Sequence, residues 1–415
     1  MKYLIYVLAA CLAFVIPYFF IQGSIEEGNN VFNSSLYRSY HQKLQKFANN
    51  YSMEEIQPNS INALFKYIRN SNQVIDRQYH ETLVDKIRQA CTYYLKEYKS
   101  INGGEKNILE QFIIYLFLGV DTTDLNKRFF YEHIDSQQEN LLSAITSVYR
   151  LREKGVFQGI KKVAFLEDQF TQGNIPSRID VLDKTILFRC GQPFYQFPPK
   201  LWWLPLPLKM APEFALFLKL SPNHLYVNLM RRKGMEGKLS HYIEALEELY
   251  PHLTVVSLDK NSPFYWQKGN DVDIAVFKID FLKHLQSSYY YWSKKIVNVE
   301  EILQYVLQET QDEYFAHKDR LNASERNDFI ELAYLKILDR LVVKIQPITM
   351  NITCRQAMDR GPSLMALWLY KKNKISSQDI LPLLMAQPML IHNRLSIKDK
   401  INRFISAAQR LDEVR

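Results

Sequence analysis

The chain opens on an unbroken apolar run, with no charged residue between Tyr3 and Ile25 in MKYLIYVLAACLAFVIPYFFIQGSI. About 20 apolar residues cross a bilayer as a helix, so residues 1–28 are expected to be a transmembrane anchor or a signal peptide. Phe20, Ile21 and Gln22 precede Gly23, a poor small-residue cleavage pattern, and the uncleaved anchor is the reading adopted. A cleaved signal, which would make the chain secreted, and a buried core helix are the alternatives. Lys2 before the run and Glu26 and Glu27 after it predict a cytoplasmic N-terminus and a single-pass membrane protein.

From about Ser35 to Gly155 the apolar positions recur at helical spacing. Leu83, Ile87, Ala90, Cys91 and Tyr94 form one stripe, with further amphipathic segments over 108–118 and 141–151. An all-α module over 29–155 is the expectation, with its Tyr and Phe residues serving as core. After Pro176 the pattern shortens to strand-like runs: KTILFRC (184–190), HLYVNLM (224–230) and LTVVSLD (253–259). Between the last two, Leu239, Ile243, Leu246 and Leu249 or Tyr250 make a helical stripe, and strand, helix, strand at this spacing predicts a parallel pair joined by a crossover helix. The proline- and tryptophan-rich stretch 192–212 is expected to form no regular element and to lie as a surface excursion or lid. A helical block over 299–341 leads into a last strand, PITMNIT (347–353), and then helices to the end. The expected architecture is an α/β domain over 156–415 with a central, mostly parallel sheet, preceded by the all-α module and the N-terminal transmembrane helix.

Composition narrows the chemistry. The chain has 415 residues, 47% hydrophobic, and a formal charge of +8, which favours acidic partners such as anionic lipid or a phosphorylated substrate. Its four cysteines, at 11, 91, 190 and 354, lack the close pairing of zinc sites or thiol redox motifs. No Walker A loop, HExxH, GxSxG or dinucleotide-binding glycine pattern is present. No metal, cofactor or nucleic-acid partner is therefore expected, and the oligomeric state is left open.

One stretch carries candidate chemistry: CRQAMDRG, residues 354–361, which follows the last strand and opens a helix-like segment. A thiol attacks phosphorus as a thiolate, and a thiolate is favoured where backbone N–H groups and a cation converge at a helix N-terminus. Residues 355–361 can curl around Cys354 so that their amides form an anion nest, and Pro362 suits the first turn of the following helix. Arg360 would then return its planar fork over the nest to hold two phosphate oxygens. The loop lies at the C-terminal end of a strand, where α/β sheets place their ligands. The structural alternative is a buried cysteine at a strand edge followed by a solvated arginine.

This stretch resembles the Cys-x5-Arg signature of the protein-tyrosine and phosphoinositide phosphatase superfamily. Asp359 directly before the Arg is most similar to the inositide branch, which includes myotubularins, Sac-domain phosphatases and bacterial inositol-phosphatase effectors. The resemblance implies a phosphatase-like α/β domain in which Cys354 is the nucleophile, Arg360 the phosphate clamp and Asp359 the general acid. It also implies that Arg355 meets an additional ring phosphate and that Gln356, Ala357, Met358 and Gly361 complete the substrate-binding loop. Two positions depart from the pattern: Gly361 stands where a hydroxyl residue usually follows the Arg, and Thr353 where a His often precedes the Cys. The resemblance covers about 20 residues. It implies a Cys-dependent phosphatase acting on a phosphoinositide or inositol phosphate, with a membrane inositide lipid as one candidate partner. A protein tyrosine phosphatase and a non-enzymatic membrane-anchored interaction protein are the alternatives. Arg189, Asp259 and Lys260 also end predicted strands and are candidates to line the same edge, with Asp259 the second candidate for the acid. The basic turn 231–234 is read as solvated.

Overall fold

The computed structural model describes residues 34–51, 60–70, 75–97, 103–121, 174–196, 208–376, 379–380, 382–386, 396 and 398–414. At its centre is a six-stranded sheet in the order β1-β2-β10-β5-β6-β8. These strands are β1 (Ser177–Leu182), β2 (Thr185–Arg189), β5 (His224–Asn228), β6 (Leu253–Ser257), β8 (Tyr291–Trp292) and β10 (Thr349–Thr353). The inner four run parallel, and β1 and β8 pair antiparallel at the two edges. The last strand, β10, is inserted between β2 and β5, with Thr349 in register with Ile186 on one side and His224 on the other. Every residue of β5, β6 and β10 is buried, as expected of parallel strands covered on both faces.

Alternation within a strand divides the core in two. Leu225, Val227, Val256, Met350 and Ile352 face one layer, made by α7 (Ile274–Leu285), α8 (Val299–Tyr314), α9 (Ala323–Ile345), α10 (Arg360–Lys371) and α11 (Lys398–Asp412). Phe188, Tyr226 and Val255 face the other. There they meet α5 (Pro212–Leu220) and α6 (Gly234–Leu249), together with α1 (Ser35–Asn49), α2 (Ser60–Arg69), α3 (Arg77–Lys96) and α4 (Gly103–Ile114). The early helices thus share one hydrophobic cluster with the sheet. Local signals set the helix starts: Ser34 caps α1 through the Tyr37 N–H, Asp76 caps α3 through the Tyr79 N–H, and Asn322 and Glu325 form a reciprocal capping box on α9.

The structure corrects the sequence reading on several points. Among the described residues no helix is long and apolar enough to cross a membrane, and residues 1–28, to which the expected transmembrane helix was assigned, lie outside them. The transmembrane helix is therefore withdrawn from the fold class, and the single-pass membrane localisation with it. The expected helix over 141–151 also lies outside the described residues. The stretch 192–212 does contain regular structure, because its proline-free ends pair as an antiparallel ribbon of β3 (Phe194–Gln196) and β4 (Leu208–Met210). The expected helical block 299–341 is two helices, α8 and α9, separated by β9 (Arg320–Leu321), which pairs with β7 (Val272–Asp273).

Helix α10 starts hard against the strand that precedes it. A Cβ added at Gly361 would stand 2.8 Å from the Ile352 carbonyl oxygen and 3.4 Å from the Thr353 Cα. This contact accounts for the glycine at 361, since no side chain fits between α10 and β10. Gly361→Ala should lower stability by about 1–3 kcal/mol through overpacking, despite alanine's better helix propensity. Denaturant unfolding measures it, and an unchanged or raised midpoint would show that the helix does not approach the strand so closely.

Candidate active site

The loop 354–359 leaves the middle of the sheet, and loops from both neighbouring strands close on it. The Leu229 N–H donates to the Thr353 carbonyl at 2.7 Å and the Gln192 N–H to the Arg355 carbonyl at 3.2 Å. The Thr353 hydroxyl donates to the carbonyls of Cys190 (2.6 Å) and Cys354 (2.9 Å), so this position before the cysteine secures the strand end. Cys354 is buried at the root of the loop, with 4% of its surface exposed.

Arg189, at the end of β2, supports the loop from beneath. Its fully enclosed guanidinium donates to the carbonyls of Ala357 (2.8 Å), Gln356 (3.5 Å) and Ile175 (3.5 Å) and to the Asn174 side chain (2.5 Å). Asn174 in turn donates to the Gln356 carbonyl at 2.8 Å. Burial lowers the Arg189 pKa to about 10, offset in part by the Cys190 and Cys354 thiols, so it stays a cation at neutral pH. Ala357 takes a left-handed backbone, φ 50°, to bring its carbonyl into this arrangement.

Arg360, first residue of α10, is buried and held from the side of β5 and α6. Its Nη1 donates to the Leu229 carbonyl (2.9 Å) and to Glu236 Oε2 (3.0 Å), and its Nη2 donates to Glu236 Oε1 (2.5 Å). A guanidinium has five N–H donors, so one N–H of Nη2 and that of Nε have no acceptor among the described residues, and these two form its side-on fork. Burial disfavours the charge, but Glu236 and the Cys354 thiol more than offset it and hold Arg360 firmly protonated. Burial likewise raises Glu236, yet Arg360, the Arg231 N–H and Arg355 outweigh it and keep the carboxylate ionised.

The two carboxyl candidates have different settings. Asp359 is the N-cap of α10 but makes no side-chain cap hydrogen bond, and its Oδ1 accepts from the Ser396 hydroxyl at 3.0 Å. The first-turn amides of α10 thus keep their anion-binding potential. Asp259 is fully buried. Its Oδ1 accepts from the Asn261 N–H at 2.6 Å, and its Oδ2 has no hydrogen-bond partner among the described residues. Burial raises its pKa above the ordinary carboxylate value, opposed by the Asn261 N–H and the charges of Arg360 and Arg231.

The structure brings Cys354, Arg360, Arg189 and Asp259 into one electrostatic neighbourhood. Arg355 and Gln356 are half-buried on the loop, whereas Ala357 and Met358 are buried within it and Gly361 is buried in the first turn of α10. Lys260 turns away to an ion pair with Glu331 at 2.5 Å. In the basic turn after β5, Arg232 pairs with Glu244 at 2.7 Å. Sequence reasoning missed Glu236, Ser396 and the burial of Lys400. Glu236 had one readable signal, its place in the first turn of the crossover helix after β5. Comparison of this chain with family models, with characterised proteins and with solved structures gives no match.

Proposed function

We propose that this chain is a cysteine-dependent phosphatase that hydrolyses phosphomonoesters through a phosphocysteine intermediate. The observation that carries the reading is the Arg360 guanidinium, fixed by Glu236 and the Leu229 carbonyl with its side-on fork unused among the described residues, near Cys354 at the start of α10, which has no side-chain cap. The fork and the first-turn amides would hold the phosphate oxygens. The Cys354 thiolate attacks phosphorus, an S–P bond forms, and the ester P–O bond breaks as a carboxylic acid protonates the departing alcohol. Water then cleaves the S–P bond, releasing phosphate and regenerating the thiolate. An inositol phosphate, free or as a lipid headgroup, is the favoured substrate because of Arg355, and phosphotyrosine is the alternative.

Of the two acids, the geometry favours Asp259 over Asp359. Asp359 is engaged by Ser396, while Asp259 has an unpartnered oxygen and a raised pKa, so it keeps its proton to higher pH than a free carboxyl. A proton donor of this kind is worth about 10²- to 10⁴-fold.

Cys354→Ser should abolish turnover of an aryl phosphate and leave phosphate binding intact, whereas Arg360→Lys should weaken both, since a lysine keeps the charge but not the fork. Steady-state rates beside calorimetric phosphate binding test this pair, and full activity in Cys354→Ser would end the mechanism. Asp259→Asn should slow an alkyl phosphate by about 10²-fold or more but a nitrophenyl phosphate, with its acidic leaving group, far less. Because the acid must be protonated, the rate on the alkyl ester should fall as pH rises through the raised Asp259 pKa, and that limb should vanish in Asp259→Asn. If Asp359→Asn shows this pattern and Asp259→Asn does not, the roles are reversed.

A further inference from the structure

Helix α11 delivers to the edge of this site a cation for which the described residues offer no acid. Lys400 is 6% exposed, its ammonium donates to the Lys260 carbonyl at 2.7 Å, and it lies 4.4 Å and 4.1 Å from the ring centres of Tyr265 and Trp266. Two of its three N–H donors have no acceptor among the described residues. The carboxylate in its field, Glu331, is already engaged by Lys260 Nζ (2.5 Å), by Arg403 Nε (3.1 Å) and by the Tyr265 hydroxyl. Burial and then the charges of Lys260 and Arg360 push the Lys400 pKa well below the usual lysine value, with Arg403 adding to the repulsion and Glu331 opposing it.

Lys260, Arg360, Lys400 and Arg403 therefore stand against two paired carboxylates, Glu236 and Glu331, and an Asp259 carboxyl that burial inclines to its neutral form. A buried ammonium in such company either loses its proton or meets an anion. Three observations link Lys400 to the Cys354 loop. Lys400 acts on the same field as Arg360, its acceptor carbonyl directly follows Asp259, and the segment leading into α11 is tied to the loop by the Ser396–Asp359 hydrogen bond.

We propose that Lys400 forms a second anion subsite beside the Cys354 loop, one that takes a phosphate group carried by the same ligand whose first phosphate lies on the Arg360 fork. The proposal rests on the phosphate-binding reading of Arg360 and extends it to a multiply phosphorylated small molecule recognised partly by the C-terminal helix.

Calorimetric titration of the full chain carrying Cys354→Ser, with inositol hexakisphosphate and separately with inorganic phosphate, tests it. Lys400→Met retains the apolar stem over Tyr265 and Trp266 and removes the charge. It should weaken hexakisphosphate binding by about tenfold or more, and inorganic phosphate binding by less than about twofold. Equal losses on both ligands, a loss confined to inorganic phosphate, or unaltered hexakisphosphate binding would each overturn the proposal. Independently of any Lys400 variant, hexakisphosphate but not inorganic phosphate should slow amide hydrogen exchange over 398–412, and its failure to do so counts equally against the subsite. Arg360→Met separates the two readings. If it leaves both ligands bound as before, the phosphate-binding reading itself fails and takes the subsite with it. If it weakens both while Lys400→Met weakens neither, only the subsite falls.

Discussion

A buried guanidinium that meets no carboxylate among the described residues, that of Arg189, sets the shape of the central loop. Enclosing a charge in a protein interior is costly unless its donors are satisfied, and here oxygens of Asn174, Ile175, Gln356 and Ala357 satisfy them. Two of those oxygens are loop carbonyls. In a planar trans peptide the N–H points opposite to the C=O, so turning the Ala357 carbonyl down to Arg189 turns the Met358 N–H away from it. The left-handed Ala357 is the local cost, of order 1–3 kcal/mol, of that orientation.

Arg360 acts on the same loop from another side. Its partner Glu236 occupies the end-on pair of nitrogens and so determines which edge of the guanidinium stays open. The Cys354 thiol lies in the field of both arginines. Two fixed cations thus stand near one sulfur, and Thr353, the residue before it, serves the strand end.

How much of this was readable in the sequence depends on the range of the interaction. The inner strands β2, β5, β6 and β10 were legible because strands covered on both faces are mostly apolar or β-branched, as in ILF, LYV, TVV and the ITMNIT run interrupted only by Asn351. Edge strands β1 and β8 were not, since β1 is half exposed and β8 is two residues long. The spacing from Cys354 to Arg360 was legible because one turn contains both. Glu236, 124 residues before Arg360, and Lys400, whose acceptor is 140 residues earlier in the chain, become neighbours only through the topology of the sheet and the docking of α11. The proline-rich stretch misled because proline marks where pairing cannot occur and says nothing of the residues flanking it.

The insertion of β10 between β2 and β5 has a consequence for the order of assembly. Until residues 349–353 arrive, β2 has no parallel neighbour and the β5–β6 pair lacks its other flank. The contacts that close the gap, such as His224 with Asn351, join residues 127 positions apart. Such non-local pairing bears a large loop-closure entropy and is slow, and a chain emerging N-terminus first must wait for it. The strand that completes the sheet is also the one that carries Cys354. A nascent or truncated chain therefore lacks both a closed sheet and the loop that begins at Cys354, and that loop enters the fold together with the strand that closes it.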